Sequence, residues 1–170
     1  MGYVPTVSKL RNEPLWRNRK GITVSEMAGR WGIANATLRA LLDHHGFLET
    51  VSYGGTQRRA LVPDNVFYAE YGHNVLPGIG KASIGDSNTT TVFPVFYEEF
   101  LENIRWCLDY DGITNAVNMI ERKKDRLKYL IGNHGYLPNT EIASLSGYTV
   151  NGVSVARARM SGECEMSMAA

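Results

Sequence analysis

Apolar residues recur at intervals of three and four in the first part of the chain, and this period predicts amphipathic helices. The pattern runs from residue 24 to residue 45. Thr23 and Glu26 have the Thr-x-x-Glu spacing of a capping box, which predicts that a helix begins at residue 24. Asn35 is predicted to be the N-cap of a second helix. Gly46 is predicted to end that helix.

The pattern changes to two extended runs after Gly46. The stretch from Leu48 to Val62 carries Gly54-Gly55 at its centre. A glycine pair between two extended runs is typical of a two-residue hairpin turn. The sequence therefore predicts a β-hairpin directly after the helix pair.

Residues 63–94 lack this periodicity and are rich in Gly, Asn, Ser and Thr, so they are predicted to form a loop-rich linker. From residue 95 the spacing is again helical. A helix is predicted to end near Asp109, and Gly112 to interrupt the pattern. A further helix is expected from Glu121 to Asn133. The apolar face of the helix ending near Asp109 is predicted to hold Phe96, Phe100, Ile104, Cys107 and Leu108.

One spacing of small and apolar residues occurs twice, about 115 residues apart. A small residue lets a second helix pack closely, a glycine permits positive φ where the first helix stops, and an apolar residue anchors the second helix. This is the spacing of a helix-turn-helix, whose second helix enters the major groove of DNA. When Ala28 is aligned with Ala143, the other equivalent pairs are Met27 and Ile142, Gly32 and Gly147, and Leu38 and Val153.

With the hairpin behind the first copy, residues 20–62 resemble the winged helix-turn-helix superfamily. The run Thr37-Leu38-Arg39, followed by Gly46-Phe47-Leu48, is similar to MerR-type and excisionase-type modules and to modules of phage regulators. Residues 121–161 also resemble the superfamily. In that second copy, Gly152 either lies in the turn or lowers the stability of the recognition helix by roughly 1 kcal/mol. The resemblance implies binding to double-stranded DNA.

These patterns predict a mainly α protein with a small β-hairpin wing and two helix-turn-helix units. A winged helix-turn-helix domain is expected at 1–62, a loop-rich linker at 63–94, and a helical domain with the second helix-turn-helix at 95–170.

The net charge of +1 is unevenly distributed along the chain. Residues 1–62 hold nine Lys or Arg against four Asp or Glu, residues 63–112 two against eight, and residues 113–170 seven against five. Basic surfaces attract phosphates. The distribution therefore favours DNA contact at the two ends, with the acidic middle turned away from the DNA.

Candidate DNA contacts follow from the side-chain chemistry of the predicted recognition helices and wing. Asn pairs bidentately with adenine, and Arg with guanine. Neighbouring strand residues face opposite sides, so at most one of Arg58 and Arg59 should point at the duplex. The full set of expected DNA-binding residues is Asn35, Thr37, Arg39, Arg58, Arg59, Asn151, Ser154 and Arg157.

Other chemistry has little support in the sequence. No apolar run approaches the ~18–20 residues of a membrane helix, and no secretory leader is visible. The two cysteines, Cys107 and Cys164, fit neither a disulfide framework nor a Cys-x-x-Cys site. The side chains of His44 and His45 are adjacent on a predicted helix and point in directions too different to coordinate one metal ion. We therefore expect no metal, no cofactor and no catalysis, and we expect Trp16 to pack in the core.

The first hypothesis is a cytoplasmic, sequence-specific DNA-binding protein, which regulates transcription for a phage or mobile element in a bacterium or a phage-infected cell. One alternative is a role in DNA packaging and assembly. Another is inhibition of a host protein through the helix-turn-helix scaffold. The expected partners are double-stranded DNA, a second copy through residues 96–131, or a host transcription or packaging protein, and no membrane.

Overall fold

The computed structural model describes residues 19–53, 57–75 and 93–168. The chain divides into two compact units, Met1–Leu108 and Asp109–Ala170. The fold is mainly α with some β, so the predicted class is confirmed at that level.

The first unit interleaves helices with two small sheets. Its elements are β1 (Gly21–Thr23), α1 (Val24–Trp31), α2 (Asn35–His44), β2 (Glu49–Tyr53), β3 (Gln57–Leu61), α3 (Asp64–Tyr68), β4 (Gly72–Val75), β5 (Phe93–Tyr97), a 3-10 turn (Glu98–Phe100) and α4 (Leu101–Leu108).

The predicted capping box at the start of α1 is confirmed. The Glu26 N–H donates to Thr23 Oγ1 over 3.3 Å, and the Thr23 N–H donates to Glu26 Oε2 over 2.8 Å. The hydrogen bond from the Thr23 backbone N–H lowers the pKa of Glu26. Helix α2 has Ala34, not Asn35, as its N-cap, so that prediction is wrong. The Asn35 side chain instead hydrogen-bonds across to α1.

The predicted hairpin is confirmed as the antiparallel pair β2 and β3, in which Glu49 lies opposite Leu61 and Tyr53 opposite Gln57. The predicted turn at Gly54-Gly55 lies outside the described residues. The hairpin is joined to β4 by a buried amide: Asn74 accepts from the Val62 N–H over 2.8 Å and donates to the Val62 carbonyl over 2.9 Å.

A three-stranded antiparallel sheet, in the order β1-β5-β4, was not predicted. It pairs Gly21 with Tyr97 and Gly72 with Phe96. Residues 63–75 and 93–94, expected in a linker, therefore contribute to α3, β4 and β5. Phe96 is fully buried in the central strand and Cys107 is exposed, so placing both on one helical face was wrong.

The second unit contains four described helices: α5 (Tyr110–Asn118), α6 (Lys123–His134), α7 (Asn139–Ser146) and α8 (Val150–Met168). The helical conformation is interrupted between α4 and α5 at Asp109, which has φ 48°, and not at Gly112 as predicted. Gly112 lies in the first turn of α5, where the Asp109 carboxylate occupies the space of a Cβ. The buried core of this unit includes Ile113, Val117, Leu127, Leu130, Ile142 and Val153.

Gly152 is the third residue of α8, so it lies in the helix and not in the turn. Its N–H donates to Thr149 Oγ1 over 3.1 Å, which satisfies one of the donors that a helix N-terminus leaves open.

Candidate nucleic-acid interface

The aligned helix pairs α1–α2 and α7–α8 share their local geometry. Gly32 and Gly147 have φ values of 65° and 76°, and their N–H groups bond to the carbonyls of Ala28 and Ala143 respectively. Residues 32–34 and 147–149 form the two links. The anchor residues Leu38 and Val153 are both fully buried, as are their partners Met27 and Ile142. The two pairs therefore differ mainly in their exposed surfaces.

A hydrogen-bonded chain of side chains orders the outer face of α2. Arg39 Nε donates to Asn35 Oδ1 over 2.9 Å, and Asn35 Nδ2 donates to Ser25 Oγ on α1 over 2.8 Å. Arg39 is exposed, and no carboxylate in the described part of the chain forms a salt bridge with it. The guanidinium is thus oriented by α1 and α2 and is accessible to a ligand.

Thr37 does not belong to this face. Its relative exposure is 0%, so the side chain is not accessible to DNA, contrary to the prediction. The helical rotation that exposes Ala36 and Arg39 turns Thr37 towards the core. Ala36 is small and exposed beside Arg39, and it leaves the approach to the helix unobstructed.

The hairpin presents its two arginines differently. Arg58 lies opposite Ser52 and is exposed, whereas Arg59 lies opposite Val51 and is half-buried. This is the alternation expected for neighbouring strand residues. Arg58 is therefore the one better placed for a ligand in solution.

Three other described basic residues of the first unit are paired with acidic ones. Arg19 bonds to Glu70 over 3.0 Å and to Glu99 over 3.2 Å. Lys20 and Arg30 both bond to Glu98, over 3.0 and 2.7 Å. The hydrogen bond from Arg30, followed by that from Lys20, lowers the pKa of Glu98. Acidic residues of the middle segment thus form ion pairs with three of the basic residues that are predicted to attract DNA.

The predicted residues of the second pair are only partly accessible. Asn151 and Ser154 are exposed on α8. Ser154 Oγ accepts from Asn139 Nδ2 over 2.9 Å and donates to the Val150 carbonyl over 3.3 Å. Ser154 therefore ties α8 to the start of α7, and its hydroxyl is already engaged.

Arg157, which is predicted to contact DNA, is engaged in hydrogen bonds within the second unit. Its guanidinium donates to the carbonyls of Gly135 and Leu137, over 2.7 and 2.6 Å. These carbonyls lie in the link between α6 and α7, so Arg157 ties α8 to that link. The side chain is half-buried and its Nε is shielded from solvent.

Sequence reasoning missed Ser25, which positions Asn35 and through it Arg39. The contact joins residues ten positions apart on different helices, so no local pattern indicates it. Trp16, predicted to pack in the core, lies outside the described residues.

The chain matches no protein-family model, no curated protein and no solved structure. In the described ranges, no three His, Cys, Asp or Glu side chains are grouped so as to hold a metal ion. No helix in the same ranges has both the length and the apolar character needed to cross a membrane.

Proposed function

We propose that the protein binds double-stranded DNA in a sequence-specific way, with α1–α2 as a helix-turn-helix, α2 as the recognition helix and the β2–β3 hairpin as the wing. The observation that carries the proposal is the exposed Arg39, held by Asn35 and free of carboxylate partners among the described residues. An arginine oriented through Nε still has the terminal N–H groups that bind the N7 and O6 atoms of guanine.

The distribution of charge along α2 supports an approach through its N-terminal half. Ala36 and Arg39 are exposed there, while the exposed Asp43 lies near the other end. Asp43 lies one helical turn beyond Arg39 on the same side of α2. Because a carboxylate repels phosphates, it disfavours an approach of DNA to the C-terminal half of the helix. Recognition helices contact base edges with their N-terminal residues, which agrees with this orientation.

Selection of bound duplexes from a random pool by the full chain tests the proposal. We expect enrichment of one sequence with a guanine at a fixed position, and we expect the preference for guanine at that position to be lost when Arg39 is replaced. Absence of any enriched sequence, under low-salt conditions in which phosphate contacts are strong, contradicts it. Regulation of transcription for a phage or mobile element is the role we propose for such binding.

A protein partner is the second candidate, and the exposed surface of the second helix pair favours it. Tyr148, Val150 and Val155 have relative exposures of 37%, 46% and 44%. Apolar residues at the turn and early in a helix suit a protein surface better than phosphates. The assembly and inhibitor roles would use this surface, and binding to a protein but not to any duplex would favour them.

A further inference from the structure

The second unit carries an exposed basic cluster at the start of α6, formed by Arg122, Lys123, Lys124 and Lys128. Within the described parts of the chain, no salt bridge involves any of the four. In the first unit, by contrast, Arg19, Lys20 and Arg30 are paired with carboxylates, whereas Arg39 and Arg58 are not paired with any described residue. The start of α6 therefore groups, within seven residues of the chain, four exposed cations that form no salt bridge with a described residue.

Folding does not account for the cluster. Arg122 is the N-cap of α6, and Lys123 and Lys124 are its first two residues. Cations near the N-terminus of a helix are unfavourably placed in the field of the helix dipole and lower its stability. The cap has no side-chain hydrogen bond. A polyanion that binds these side chains would offset the repulsion.

The cluster lies beside the α7–α8 turn. A Cβ added at Gly147 would lie 3.2 Å from Cε and 3.5 Å from Nζ of Lys123, so the lysine side chain crosses the turn glycine. Lys124 and Lys128 are one helical turn apart on the outer surface, where both are exposed. The cations thus extend from the turn along α6, and the one carboxylate within residues 122–128, the exposed Asp125, forms no salt bridge with any of them.

We propose that Arg122, Lys123, Lys124 and Lys128 bind the phosphate backbone of duplex DNA without sequence preference, as a DNA contact of the second unit in addition to the proposed recognition by α2. The choice of duplex DNA as the ligand rests on the proposed function, but the choice of the four binding residues does not. No residue of α6 has a large apolar side chain that is fully exposed, because Leu127 and Leu130 are buried and Tyr129 and Ile131 are half-buried. A membrane-surface helix needs such residues, so its absence here favours a phosphate backbone over a lipid surface.

The test compares the double variant K124Q/K128Q with the charge-matched control R159Q/K20Q in the full chain. Arg159 is exposed on α8, two residues beyond Arg157, which contacts the chain past the far end of α6. Affinity for a selected duplex and for a scrambled duplex is measured across salt concentrations. K124R/K128R keeps both charges and should behave as the wild type.

We expect K124Q/K128Q to weaken binding to both duplexes by the same factor and to make the log–log salt slope less negative by roughly 2, since each lysine contributes about 1. The control should change the slope much less. Equal effects of the two double variants, or none from K124Q/K128Q, overturn the proposal.

A triple variant in which Arg39, Arg58 and Arg59 are replaced by Ala allows this proposal to be tested separately from the proposed function. K124Q/K128Q is then introduced into that triple variant. Residual, sequence-independent duplex binding that K124Q/K128Q removes supports the α6 contact even if no preferred sequence exists. Residual binding that K124Q/K128Q leaves unchanged overturns the α6 contact while leaving recognition by α2 intact. Binding of the wild type to anionic vesicles but not to duplex DNA also overturns it.

Discussion

At the scale of single residues, hydrogen bonds decide which polar side chains remain accessible to a ligand. Arg39 and Arg157 are both arginines on the second helix of an aligned pair. Arg39 donates one hydrogen bond to Asn35, and its side chain remains exposed. Arg157 donates to two carbonyls beyond α6 and is half-buried. Their positions differ because Arg157 lies beside backbone carbonyls of the link between α6 and α7, whereas Arg39 bonds to a side chain on its own helix.

Residue-level predictions from sequence succeeded where the interaction is local. Thr23 and Glu26 are three positions apart, so the capping box could be recognised from the sequence. Asn35 was predicted as a cap because Asn commonly caps helices. Its actual partner, Ser25, is set by the packing of α1 on α2, which the local sequence does not indicate.

His73 is expected to make stability depend on pH. It is buried, stacks on Tyr97 with ring centroids 5.4 Å apart, and has its pKa lowered by burial. In the unfolded chain the imidazole takes up a proton near pH 6.5. The folded state takes it up only at lower pH, so stability should fall as the pH drops below about 6.5.

Urea unfolding of His73→Gln, measured from pH 7.5 to pH 5, checks this expectation. The variant should be less stable than the wild type at pH 7.5, and its stability should fall less on acidification. The same loss of stability in both proteins over this range would show that His73 is not responsible.

At the scale of elements, the turn glycines fix where each first helix ends. Gly32 has φ 65°, and no heavy atom would lie within 4 Å of an added Cβ. A substitution there would therefore act through backbone conformation alone. A Cβ added at Gly29 would likewise have no heavy atom within 4 Å, but Gly29 lies within α1 and has ordinary helical geometry.

Gly32→Ala and Gly29→Ala should shift stability in opposite directions. Ala at residue 32 must adopt a left-handed conformation, which costs about 1–2 kcal/mol. Ala at residue 29 should stabilise α1 by about 0.5–1 kcal/mol. Chemical denaturation of both variants provides the measurement, and a Gly32→Ala variant as stable as Gly29→Ala would be inconsistent with the described end of α1.

Element prediction failed where strands pair over a long distance in sequence. The β2–β3 hairpin could be predicted because its strands are adjacent. β5 was assigned to a helix because Phe96 and Phe100 happen to have helical spacing with Ile104. Its actual conformation is set by pairing with β1 and β4, and the choice between strand and helix for a short apolar run is ambiguous from periodicity alone.

At the scale of the whole molecule, internal ion pairs alter what the charge distribution implies. The predicted basic domain at 1–62 shares three of its cations with Glu70, Glu98 and Glu99. The predicted range 1–62 also leaves out β5, although β5 pairs with β1 within the compact unit Met1–Leu108. Sequence counts of charge could not show this, because pairing depends on tertiary contacts.

The wing should contribute salt-dependent, sequence-independent affinity through Arg58. Arg58→Ala in the full chain should weaken binding to all duplexes about evenly and make the log–log salt slope less negative by roughly 1. Lys20→Ala is the matched control, since Lys20 pairs with Glu98, and it should leave the slope nearly unchanged. Fluorescence anisotropy titrations at several salt concentrations give both slopes. A larger change from Lys20→Ala than from Arg58→Ala would contradict this assignment.

Recognition of a base in duplex DNA by Arg39 on α2 can be tested directly. The measurement is the ratio of affinities for the selected duplex and for a duplex altered at one guanine, in the wild type and in Arg39→Ala. We expect Arg39→Ala to lose about 1–3 kcal/mol on the selected duplex and to bind both duplexes alike. A folded Arg39→Ala protein with the wild-type affinity ratio would contradict it.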